Sequence, residues 1–148
     1  MVISTHNYMF VSEDDYRVVI GETALKVVSQ TSPQNREIAE LEAIEEISGY
    51  LRPTYDVKAV FGAVGDDRNR LIVMYTADIA LYHMVASSPQ KMGSEIRKER
   101  YDRAIKWLEG VQAGKIVPDL PAAEPVGSDE YSGAGTLFFS DPKLNHNW

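Results

Sequence analysis

The sequence predicts an all-α protein, a short helical bundle of about four to five helices followed by an extended irregular C-terminal tail. Three observations carry that class. Apolar residues recur at steps of three and four over 34–51 and again over 94–113, the spacing that lines one face of a helix. Between them, residues 69–87 are apolar around almost the whole helical circumference. From Lys115 onward the pattern stops, and Pro118, Pro121 and Pro125 followed by Gly127, Gly133 and Gly135 forbid a long helix. The division expected is a helical domain over 1–117 and an extended docking tail over 118–148.

Residues 1–11 are a short lead-in. Ser12 opens the first helix, with Asp15 at the capping-box spacing and Glu13, Asp14 and Asp15 on its positive end. Gly21 stops it, and 22–29 adds a turn or two through Ala24, Leu25, Val27 and Val28. Ser32-Pro33 restarts the helical pattern, since serine caps and proline suits the first helical position. Ile38, Leu41, Ile44, Ile47 and Leu51 form the expected buried stripe of 34–51, opposite Glu37, Glu40, Glu42, Glu45 and Glu46. Arg52-Pro53 ends that helix. Residues 53–68 read as a connector, and Val57, Val60 and Phe61 fit a short strand or a packed loop equally well.

The helix over 69–87 presents Leu71, Ile72, Val73, Met74, Tyr75, Ile79, Leu81, Tyr82, Met84 and Val85. A helix apolar on all sides belongs at the centre of a bundle. Ser94 caps the last long helix, whose packed face holds Ile96, Tyr101, Ala104, Ile105, Leu108 and Val111, and Gly114 ends it. Trp107 lies beside that face, in core or subunit interface. The tail keeps Leu137, Phe138, Phe139 and Trp148, residues that a solvated tail normally lacks and that suit docking onto another surface.

Composition narrows the function. The 148 residues carry a net charge of −7 and no cysteine, so thiolate chemistry, disulfides and zinc–sulfur sites are excluded. The densest basic patch, Arg97, Lys98, Arg100, Arg103 and Lys106, is interleaved with Glu95, Glu99 and Asp102. It reads either as a solvated, ion-paired helix face or as a phosphate-binding stripe. No apolar run is long enough to span a bilayer and no signal peptide is visible.

Candidate chemistry is sparse. His6 and His146 lie near the ends, and His83, beside Tyr82, has no ligand-spaced partner. It reads as a core-edge histidine bonded to a backbone or tyrosine oxygen. Asp78 interrupts the apolar helix, and a buried carboxylate needs a partner; Arg100 and Arg103 are the bases in question, with a general acid or base as the other reading. Gly65-Asp66-Asp67 lacks the spaced ligand series of a calcium loop. No catalytic, cofactor-binding or metal residue is therefore assigned, and the expectation is a protein that is not an enzyme and needs no cofactor.

Four stretches in this order resemble the Mu-like Gp36 group of tailed-phage head–tail connector or neck adaptor proteins. They are MFVSEDDYRVVIGETAL at 9–25, EIAELEAIEEISGYLRPTYD at 37–56, LIVMYTADIALYHM at 71–84 and ERYDRAIKWLEGVQAGKI at 99–116. The resemblance implies a structural virion protein, made in the host cytoplasm, that forms a ring below the portal, of twelve copies to match it. Such a ring would extend the DNA channel and join capsid to tail. Its expected partners are the portal protein, other neck or tail proteins and copies of itself, with DNA passing through unbound and no membrane contact. Glu42 and Glu46 on one helix and Arg97, Arg100 and Arg103 on another are the expected subunit-interface charges, and Leu137, Phe138, Phe139 and Trp148 the portal-docking residues. Two other readings are a small helical regulatory or accessory protein of bacterial or prophage origin, and a tail-side completion protein.

Overall fold

The computed structural model describes residues 9–29, 33–86 and 94–125. They form six α-helices and no strand: α1 (Glu13–Ile20), α2 (Glu22–Ser29), α3 (Pro33–Leu51), α4 (Val57–Gly62), α5 (Arg70–Ala86) and α6 (Ser94–Gln112). The all-α class is thus as the sequence predicts. The helix beyond the expected number is α4, at the place where strand and loop could not be separated. Asp56 makes it: its Oδ1 accepts from the backbone N–H of Lys58 at 3.1 Å and of Ala59 at 3.2 Å, filling two donors that a helix start leaves open. Six residues are too few for a 3.6-residue period to show.

α3, α5 and α6 pack on one another as the centre of the bundle, with α1 against α5 and α4 against α3. α5 is the middle member, and eleven of its seventeen residues are buried, including Ile72, Ile79 and Leu81. Burying each such aliphatic side chain is worth about 1.5–3 kcal/mol relative to exposure. Asn69 caps it, its Oδ1 accepting from the N–H groups of Leu71 at 3.0 Å and Ile72 at 3.2 Å.

The buried stripe of α3 differs from the one the apolar spacing suggests. Ala39, Ala43, Ile47 and Leu51 are buried, together with Glu40 and Ser48, whereas Ile38 is 54% exposed and Leu41 56%. The four-residue step is right, but the helix is turned so that its small residues are buried, and α5, which packs against α3, buries Ala77 and Ala80 of its own. The larger Ile38 and Leu41 are left outside, beside the exposed Glu42 and Glu45.

The N-terminal lead-in is tied down twice. Ser12 and Asp15 form a reciprocal capping box on α1. Arg68, just after a 3-10 turn at Gly65–Asp67, donates from Nη1 to the Phe10 carbonyl and to Asp15 Oδ2, both at 2.6 Å. Burial works against the Asp15 charge, but the hydrogen bonds from Arg68 and Ser12 outweigh it and hold the carboxyl below its ordinary range. The ring of Phe10 meets Phe61 of α4 edge-on, 5.0 Å between centroids.

Past α6 the chain stays on the body beyond the expected boundary at 117/118. The side chain of Asn69 donates to the Asp119 carbonyl at 3.3 Å, the N–H of Asp56 to the Pro121 carbonyl at 2.9 Å, and the N–H of Ala123 to the Thr54 carbonyl at 2.9 Å. Leu120 packs against the core. The folded unit therefore runs at least to Ala123. The prolines that rule out a helix here are compatible with this extended pairing. Leu137, Phe138, Phe139 and Trp148, like His6 and His146, lie outside the described residues.

Candidate interaction surface on α5 and α6

Asp78 is buried in α5 and receives a hydrogen bond from Arg100 Nε of α6 at 2.6 Å. This is the pairing its position demands, since an unpaired buried carboxylate is costly. Burial pushes the Asp78 carboxyl above its ordinary value, and Arg100 offsets that only in part. Arg97, one helical turn before Arg100, is 7% exposed, and its Nη1 finds no acceptor among the described residues. Burial and the neighbouring Arg100 both work against its charge.

Further along the same seam, Tyr82 and Tyr101 stack at 4.2 Å. The Tyr101 hydroxyl donates to Glu46 Oε1 of α3, and His83 Nε2 lies 3.1 Å from Glu46 Oε2. His83 is a core-edge histidine as its surroundings suggest, but its partner is a carboxylate rather than a backbone or tyrosine oxygen. The five expected interface residues thus divide. Glu46 and Arg100 are engaged within the chain and Arg97 is buried, while Glu42 and Arg103 face outward, Arg103 only loosely set against Glu99 at 4.0 Å.

The opposite end of α6 forms an open groove of about 600 Å³. Local sequence dictates it. Gly114 adopts φ 75°, a left-handed conformation that ends the helix at low cost. The N–H groups of Lys115 and Ile116 then turn back to the Gly110 carbonyl at 2.9 and 3.1 Å. Ile116 lies directly over Gly110: a Cβ added at 110 would sit 2.6 Å from Ile116 Cδ1. The floor is Tyr75 and Trp107, 5.0 Å apart, and Arg103, Lys106 and Lys115 surround it with Glu109 as the one acid. Neither Lys106 nor Lys115 has an ion-pair partner among the described residues.

Sequence reasoning missed this groove, and it missed Glu40 and Arg68. Gly114 was legible as a helix stop. Gly110, in contrast, reads only as a poor helix former until its contact with Ile116 is seen. Among the described residues no group of three or more histidine, aspartate or glutamate side chains could hold a metal ion, and no helix is long and apolar enough to cross a membrane. Asp66 and Asp67 are exposed on the 3-10 turn.

These features define a small all-helical bundle protein whose distinctive polar groups lie along helix–helix seams and at an open groove. Residues 10–134 match the family model described as Bacteriophage Mu, Gp36, and the chain belongs to that phage protein family. The match runs past Pro125 into the tail. No curated protein and no solved structure matches the chain.

Proposed function

We propose that this protein is a non-enzymatic structural component of the virion, a head–tail connector whose copies form a ring below the portal. The observation that carries this reading is membership of the Mu Gp36 family over residues 10–134. Two physical features support it. The outward side of α3 presents Ile38 and Leu41 beside Glu42 and Glu45, and the groove at the end of α6 presents Arg103, Lys106 and Lys115. A ring needs two different, complementary faces on each subunit. The net charge of −7 suits a channel wall that lets DNA slide, because neutralising phosphates with bases gives tight binding of any sequence.

In this reading a ring of portal-matched copy number, twelve, extends the DNA channel. Leu137, Phe138, Phe139 and Trp148 dock on the portal, and many tails engaged at once make a firm joint from weak single contacts. The far side of the ring receives the next neck or tail protein. Deleting the gene should give filled heads and free tails that fail to join, with joining restored by the gene in trans. Normal tailed particles from the deletion would overturn the connector role and favour a regulatory one.

A further inference from the structure

We propose that the groove at the end of α6 receives the segment Ser128-Asp129-Glu130-Tyr131 from an adjoining copy of the chain, an inference that rests on the ring reading and names the contact that closes it. The groove is a basic site on an acidic protein: three bases and one acid surround an aromatic floor. Its complement is therefore an acidic stretch with one ring to lay against Tyr75 and Trp107. Carboxylates would meet Arg103, Lys106 and Lys115 in charge-assisted hydrogen bonds, and a tyrosine presents both an apolar face and a polar tip to such a floor.

Within the 23 residues that follow Pro125, Asp129-Glu130-Tyr131 places two adjacent acids next to an aromatic residue. The segment also lies inside the family match, which ends at 134, whereas Leu137, Phe138, Phe139 and Trp148 lie beyond it. The two parts of the tail thus have separate tasks: the first joins neighbours, and the second remains for the portal.

The course of the chain favours a neighbour as the source. After Ile116 the backbone is drawn to Asn69, Asp56 and Thr54 through Asp119, Pro121 and Ala123. None of those three partners lines the groove. The tail therefore leaves the body at a place other than its own groove. A contact from the tail of one copy to the groove of the next is head-to-tail, the type that generates a ring when the rotation closes.

The absence of cysteine makes the test direct. Full-length Lys106→Cys and full-length Asp129→Cys are mixed in equal amounts, bound to purified portal and oxidised. Lys26→Cys, exposed on α2, replaces Lys106→Cys in a control mixture. The expected result is a disulfide-linked heterodimer in the portal-bound fraction, several-fold above the control. A charge-reversed pair, Lys106→Glu with Asp129→Lys in the same chain, should restore portal-bound copies that either single reversal reduces. Copies that bind portal without the heterodimer overturn this inference and leave the connector reading standing. A bond formed within single chains of the Lys106→Cys/Asp129→Cys double variant, with no heterodimer in the mixture, overturns it in favour of the protein's own tail. No binding to portal overturns the connector reading, and this inference with it.

Discussion

Two buried acids in this small bundle meet opposite fates. Glu40 of α3 is 1% exposed, and both its oxygens are used: Oε1 accepts from the Val11 N–H at 2.9 Å and Oε2 from the Tyr16 hydroxyl at 3.0 Å. Burial, with Glu40 beside it, pushes the Tyr16 phenol far up, so it remains a donor at any ordinary pH. Asp78 is equally buried, but it faces a cluster of bases larger than itself, and Arg97 Nη1 has no acceptor among the described residues. The Glu40 site is closed, a staple holding the lead-in and α1 onto the bundle. The Asp78 seam has more positive charge than the described residues answer. A satisfied buried polar group fixes structure, whereas an unsatisfied one is a cost that invites explanation.

Substitutions at both acids test this difference, with the apolar core as the reference. Leu81 is fully buried in α5, so Leu81→Asp should remove about 4 kcal/mol or more, by adding an unpaired charge to the loss of packing. Urea unfolding measures it, and a stable, cooperatively folded variant would contradict the central place of α5.

Glu40→Ala should come next, at about 2–5 kcal/mol, because it strands two donors and opens a cavity. Glu40→Gln keeps the shape and should cost only about 1 kcal/mol at neutral pH. The pH dependence has a definite sign. Burial raises the folded carboxyl of Glu40 above its ordinary value of 4.5, and its hydrogen bonds offset that only in part. Its contribution is then complete below that ordinary value and declines as the pH climbs through the raised one. Wild type should lose stability relative to Glu40→Gln over that rise. A stability difference that is flat with pH, in unfolding curves on both proteins, would contradict the burial account.

Smaller again is the effect of the tail's first residues. Cutting after Leu120 removes the bonds made by Pro121 and Ala123 and should cost about 1–2 kcal/mol. Cutting after Pro125 should leave melting unchanged. Equal melting of both truncations would show that Pro121 and Ala123 add nothing to the folded unit. At the bottom of the scale, Arg97→Met should be neutral or slightly stabilising in the isolated chain, since it removes a buried donor without an acceptor while keeping an apolar stem. A loss as large as that of Glu40→Ala would show that the seam is as closed as the Glu40 site.

Much of the fold was legible in the sequence because strong local signals agreed with the packing. The capping pair Ser12 and Asp15, the stop at Gly114 and the predominantly apolar character of 71–85 each mean the same thing locally and globally. α3 shows where legibility ends. Apolar size pointed to Ile38 and Leu41, but the bundle buried Ala39 and Ala43, and the four-residue spacing by itself does not say which of two adjacent rows turns inward. Glu40 was hidden for another reason: it sits among glutamates, and its donors, the Val11 N–H and the Tyr16 hydroxyl, arrive from 29 and 24 residues away. Asp78 was the opposite case, an acid in an apolar helix: its need for an arginine could be read in advance, with Arg100 and Arg103 as the candidates, and the structure supplies Arg100. The groove was not legible, since it depends on the side chain that Gly110 lacks.

Binding to purified portal tests the proposed ring most directly. Full-length protein, the Pro125 truncation and Trp148→Ala are each sedimented with purified portal, and the bound material is imaged. The account predicts a ring of copies on one face of the portal with the full chain, weaker attachment with Trp148→Ala, and none with the truncation despite its intact fold. Full-length protein that remains monomeric and stays in the supernatant would contradict it.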